Sequence, residues 1–110
     1  MPTSSLTTLS REQLELARTS THGRSACTVY GGSEHVLRQT VIALLGGQRL
    51  GDHENPGEAT VHVLLGRVRL GAGEDRWDGS PGDLVVVPDR RHDLEALEDC
   101  VVLLTVAKRP

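Results

Sequence analysis

The segment GDHENPGEAT, residues 51–60, gathers a histidine, two glutamates and an asparagine around a Pro-Gly turn. Imidazole, carboxylate and amide groups ligate transition metals, and they also orient a carbonyl or a carboxylate without any metal. A second histidine, His92, ends GDLVVVPDRRH, in which an apolar run stops at Pro88. Each histidine follows a glycine break at a definite distance: Gly47 precedes His53, and Gly82 precedes Pro88 and His92. His53, Asn55, Glu58 and His92 are therefore the candidate site residues. Two imidazoles alone hold a divalent ion weakly, because most first-row sites need three or four strong donors. Asn55 offers only a neutral amide oxygen.

Glu58 decides how strong a site this stretch makes. A bulge beside the Pro-Gly turn would swing it inward, and bulges cluster next to functional sites. His53, His92 and Glu58 would then form a two-histidine, one-carboxylate triad, the pattern of non-haem iron oxygenases. Without the bulge, Glu58 is a solvated turn residue. His53, Asn55 and His92 still suit a small anionic or carbonyl ligand in a metal-free pocket. By strand parity Glu54 and His62 point outward, His62 toward a dimer contact. His22 falls in a loop, and His35 follows Glu34 at a strand end. The chain has no G-x-S-x-G elbow, no Walker A loop and no CxxC, and its Gly-Gly pairs open no helix.

The elements that must position these residues are strands. ACTVY, HVLRQTVIALL and QRLGDH are separated by glycine pairs, and NPGE has turn chemistry. ATVHVLL and RVRLGAG meet at Gly66, which reads as a tight bend between two strands. DRWDG, LVVVP, HDLEALED and CVVLLTVA complete eight to ten short strands with Gly/Pro punctuation, an antiparallel sandwich or barrel. LVVVP and CVVLLTVA are apolar on both faces, so both are expected to be buried on both. The first nine residues are Ser/Thr-rich and expected to be poorly ordered. Ser10 with Gln13 has capping-box spacing, which predicts a helix of about three turns with Leu14, Ala17 and Leu16 on its apolar stripe. The organisation expected is a tail and short helix over residues 1–24 and one β-domain over 25–110.

With 110 residues and a net charge of −3, the chain supports one modest core and gives no electrostatic reason to expect nucleic acid. No apolar run approaches a membrane span, and the first residues lack a secretory pattern. A cytoplasmic protein with two reduced thiols, Cys27 and Cys100, is the expectation. The preference for Arg over Lys, with much Gly, Ala and Val, points to a GC-rich bacterial genome. Tyr30 and Trp77 are the only aromatics, which argues against an aromatic cage or a base-stacking platform. Two doubly apolar strands are unusual in a small lone sandwich, and either the N-terminal segment or a second subunit would cover the spare face; a homodimer is the expectation.

The frame of these residues resembles the cupin family. Its first motif, G-x5-H-x-H-x3-4-E-x6-G, is matched in spacing by Gly47, His53, Asn55, position 59 and Gly66. Its second, G-x5-P-x-G-x2-H-x3-N, is met in part by Gly82, Pro88 and His92, with the Pro-to-His interval one residue short, its glycine absent and Ala96 in place of the final Asn. The resemblance runs from about Val36 to Ala107. It implies an all-β fold, a cupin-type jelly-roll β-barrel of the RmlC-like kind, with both motifs facing one pocket. Metal-binding cupins draw four ligands from these motifs. Carried over by position they would be His53, Asn55, Ala59 and His92, a set with a poor donor at Asn55 and none at Ala59.

Two functions are therefore expected in competition. The first is a binding protein for a small molecule, with a weakened or absent metal site. The second is a metal-dependent enzyme of dioxygenase or isomerase type, holding one divalent iron, manganese, nickel or zinc ion with His53, His92 and a non-standard third ligand. A dimerising scaffold without a working pocket is a third, for which a barrel interior filled by Leu and Val would be the sign.

Overall fold

A computed structural model of the protein describes residues 1–53 and 57–108, with the side chains of Asp52 and His53 left aside. Among the described residues the order is one helix, α1 (Leu6–Thr19), then nine strands. These are β1 (Arg24–Tyr30), β2 (Leu37–Leu44), β3 (Arg49–His53), β4 (Gly57–Leu65), β5 (Val68–Ala72), β6 (Asp75–Gly79), β7 (Leu84–Val86), β8 (His92–Ala96) and β9 (Cys100–Lys108). They form a five-stranded sheet, β1-β2-β9-β4-β7, facing a four-stranded sheet, β3-β8-β5-β6, with every pair antiparallel. This is a jelly-roll barrel flattened into two layers. No helix is long and apolar enough to cross a membrane.

Alternation along the strands builds the core. On β4, Ala59, Val61 and Val63 are buried while Glu58, Thr60 and His62 are not. They pack with Leu44, Val68, Leu94 and Val102 between the sheets, and Trp77 leans on the same cluster. β9 has no polar face to give to water. Its Val102 and Val106 enter the core, and its Val101 and Leu103 meet Ala17 of α1 together with Val41 and Ala43 of β2. The helix thus covers the second apolar face of β9, as expected for a strand with nothing polar to expose.

Three details differ from expectation. The helix begins at Leu6, and its N-cap is Ser5, whose Oγ accepts a hydrogen bond from the Thr8 N–H. Ser10 lies inside the helix, buried, donating its hydroxyl to the Leu6 carbonyl, and Gln13 accepts from the Ser25 hydroxyl on β1. The capping-box spacing is real, but both polar groups serve the packing of helix on sheet. Leu16 is 53% exposed; Leu6, Leu9 and Leu14 pack in its stead. The third difference is β7. Val87, just beyond it, is buried and Val85 packs on the core, yet Leu84 and Val86 are 62% and 74% exposed. Among the described residues nothing covers that face.

Gly66 makes the bend after β4 with φ of +74°, and a Cβ there would lie 2.0 Å from the Asp99 carbonyl oxygen. Left-handed backbone and a clash with main chain exclude any side chain. Gly66→Ala is therefore expected to destabilise the fold by about 3 kcal/mol or more in urea titration.

Both cysteines are free thiols. Burial pushes Cys100 up to about 11, opposed by its hydrogen bond with the Leu44 backbone. Because the folded value lies above the unfolded one, this neutral thiol contributes stability fully below about pH 9, and the contribution is lost as pH rises through about 11. The loss is on the order of 2 kcal/mol. Denaturation midpoints measured from pH 8 to 11 should fall less steeply for Cys100→Val than for the wild type; equal slopes would refute the assignment.

Candidate functional site

The site grows from the pairing of β3 with β8. Leu50 faces Leu94, and the next matched pair is His53 with His92. Two residues of β3 stand where β8 has one, so β3 carries the bulge. The register places His53 opposite His92 across the two strands. The side chain of His53, and all of Asn55 and Glu54, lie outside the described residues.

His92 opens β8 and is 6% exposed. Its Nδ1–H donates to the Arg90 carbonyl at 2.9 Å. A carbonyl only accepts, so the proton of the neutral ring sits on Nδ1 and the Nε2 lone pair is the acceptor or ligand. This is the backbone-carbonyl support that commonly orients a ligating imidazole. Around the ring stand Ile42, Leu50, Val61, Leu70, Leu94 and Val102, enclosing only ≈ 20 Å³. That is room for about one water. Aliphatic side chains fill the barrel beside His92.

Ala59 and Glu58 occupy opposite sides of β4. Ala59 is buried in the core cluster, where a ligand would have to point, and has no donor. Glu58 is exposed on the outer face. From Gly57 opposite Lys108 to Val63 opposite Val102, the β4–β9 register runs without a shift. From Gly57 to Val63 no bulge brings Glu58 to His92; the irregularity beside the site lies on β3, between Leu50 and His53. His62 stands on the outer face of β4, half-buried, opposite Leu103 of β9 and Leu84 of β7. His35 is exposed, its ring edge-on to Tyr30 at 5.2 Å, and His22 is exposed in its loop.

Among the described residues no three His, Cys, Asp or Glu side chains cluster to hold an ion, and every buried side-chain polar atom has a hydrogen-bond partner. His92 is the one inward donor they supply. Two features escaped the sequence reading. The Arg90 carbonyl that sets the His92 tautomer carries no side-chain signal. A larger concavity of ≈ 570 Å³ lies away from His92, along Glu58, Thr60, Val86, Asp89 and Thr105. Its only trace was the second apolar face of LVVVP.

His92 fills an aliphatic part of the interior while its Nδ1–H serves the Arg90 carbonyl. His92→Leu, which keeps the volume and loses that hydrogen bond, should cost about 1–3 kcal/mol, and His92→Ala more through the added cavity, both read by urea denaturation.

No protein-family model matches the chain, and no curated protein matches it. Solved structures do. A conserved protein of unknown function from Streptococcus pyogenes is 28% identical, with a TM-score of 0.74 over 83% of this chain and 79% of that one. An RmlC-like cupin protein from Desulfovibrio desulfuricans subsp. is 25% identical, with a TM-score of 0.66 over 76% and 81%. A cupin superfamily protein from Desulfitobacterium hafniense has a TM-score of 0.72 at 14% identity over 78% of each chain, a likeness of fold.

Proposed function

Because this chain is a small cupin protein, we propose that it binds a small polar or anionic molecule at the His53–His92 end of its barrel, with a weakened or absent metal site. The fold hosts many functions, so the reading rests on the site. One observation carries it: His92 is sealed among aliphatic side chains with its tautomer set by the Arg90 carbonyl, while the inward position across the barrel is Ala59 rather than a carboxylate. With Nδ1–H held by the Arg90 carbonyl, Nε2 accepts from a ligand hydroxyl or carboxylic acid, and donates to a carboxylate or carbonyl only where the ring carries its second proton. In this reading the body of the ligand stays at the mouth and only a polar end reaches the ring, since the space beside His92 is ≈ 20 Å³.

The register of His53 opposite His92 supports a second reading, a metal-dependent enzyme using both imidazoles and a third donor. The close filling by Leu and Val supports a third, a scaffold without a working pocket. One experiment separates all three. The purified protein is analysed for iron, manganese, nickel and zinc, then screened by thermal shift against small mono- and dicarboxylic acids, with and without each ion. The binding reading expects substoichiometric metal and an acid-dependent rise in melting temperature that is absent in His92→Leu. Near-stoichiometric metal that disappears in a His53→Ala, His92→Ala double variant would establish the second reading instead. No shift with any acid would leave the scaffold.

A further inference from the structure

β2 carries a charge to the inner side of the barrel. Its register with β9 runs without a shift from Leu37 opposite Ala107 to Leu44 opposite Cys100. Ile42 and Leu44 belong to the core, while Val41 and Ala43 pack under α1. The period of two extends that division along the strand. Leu37 and Gln39 fall on the helix side, in a groove with Val29 and Leu103. Thr40 and Arg38 fall on the inner side, and their partners on β9, Leu104 and Val106, both pack with the core. Arg38, Val106 and Ala59 therefore make one inward row across β2, β9 and β4. His92 lies close to that row. Ile42, two residues along β2 from Thr40, and Leu104, opposite Thr40, line the space at its ring. Arg38 stands two residues beyond Thr40, about 7 Å along the strand, with the facing sheet ~10 Å away. An arginine side chain is long enough to reach into that gap. Arg18, Arg49, Arg69 and Arg90 each pair with a carboxylate on the outside of the molecule. Arg38 is half-buried, and among the described residues no group takes a hydrogen bond or ion pair from its guanidinium.

We propose that Arg38 holds the carboxylate of the ligand at the barrel mouth, and that the ligand is a small hydroxycarboxylic acid. The inference rests on the reading of the His53–His92 end as a binding site, and names what that site selects. A guanidinium is always charged and only donates, and its planar fork matches the two oxygens of a carboxylate. Neutral His92, with Nδ1–H held by the Arg90 carbonyl, offers Nε2 only as an acceptor. A ligand that satisfies both groups presents an anionic acceptor at one end and an O–H at the other. A hydroxy acid does so. A plain carboxylate, ionised at neutral pH, brings no proton to Nε2, and a neutral polyol leaves the guanidinium without an anion. The space at the ring, ≈ 20 Å³, admits a hydroxyl and not the body of the ligand. Ala59 shares the inward row with Arg38, so no carboxylate of that row neutralises the charge, and the ligand supplies the counter-ion. A guanidinium ligates no metal, and its fixed positive charge works against a divalent cation and for an anion.

Isothermal titration calorimetry of the full chain tests the proposal. The probes are glycolate, glycerate and malate, their hydroxyl-free counterparts acetate, propionate and succinate, and glycerol. The wild type should bind at least one hydroxy acid about tenfold more tightly than its counterpart, and glycerol not measurably. Arg38→Gln should weaken that acid about thirtyfold, and Arg38→Lys less, because an ammonium keeps the charge without the fork. His92→Leu should abolish the preference for the hydroxyl while the remaining affinity still depends on Arg38. Circular dichroism and thermal melts verify that each variant folds; if Arg38→Gln does not, Arg38→Met decides. A hydroxy acid that binds through His92 with its affinity intact in folded Arg38→Gln overturns the role of Arg38 and leaves the pocket reading standing. A hydroxyl-free acid that binds as tightly as its counterpart overturns the ligand class, as does inorganic phosphate competing as strongly as the best acid. Wild type that binds none of the probes overturns this inference and the pocket reading together.

Discussion

β9 is the constraint on which the rest of the structure depends. It is long, central in its sheet and apolar on both faces, so it needs cover on both sides. The barrel core covers one face through Val102 and Val106; α1 covers the other through Val101 and Leu103. The helix is therefore part of the packed body. Its Gln13 is tied to Ser25 on β1, and its N-cap lies five residues earlier than the capping-box spacing suggests. The same demand arises at β4 and β7, which lie on the other side of β9, but among the described residues no further helix meets it there.

The fold was legible in the sequence because strands announce themselves by alternation and glycine. Gly66 was placed correctly at a bend, and the structure shows why no other residue serves, with the Asp99 carbonyl where a Cβ would go. The parity of Glu58 and His62 was likewise readable, since the β4–β9 register keeps the period of two without interruption from Gly57 to Val63. What escaped was what depends on partners. LVVVP and CVVLLTVA look alike as strings, yet one is covered on both faces and the other on one. Composition says that a face seeks cover; it does not say whether this chain supplies it. The start of α1 escaped for a related reason. Ser10 and Gln13 satisfied the pattern of a cap, while their hydrogen bonds go to Leu6 and Ser25, neither of which the local pattern could reveal.

At the candidate site, the described residues supply one inward donor, His92, with Ala59 in the core opposite it. The bulge a third donor would need lies on β3, beside His53, rather than on β4, where it would have turned Glu58 inward. A residue cannot change faces without a shift of register, so Glu58 is held outside by the same unbroken ladder that keeps Ala59, Val61 and Val63 in the core. His92 keeps the support of a ligating imidazole, the Arg90 carbonyl on Nδ1, and that support serves hydrogen bonding to a small molecule equally well.

β4 joins these two parts of the molecule. Its inward residues line the interior that His92 faces, through Val61, and its outward residues Thr60 and His62 lie beside the exposed Val86 and Leu84. One strand therefore separates the interior from the outer face, and Val87, next along from Val86, borders both the interior cavity and the outer concavity. Rigid elements hold a binding group to its geometry better than a free edge does. β7 is a three-residue edge strand paired on one side with β4, so the wall beside His92 is held by fewer hydrogen bonds there than at the centre of the sheet.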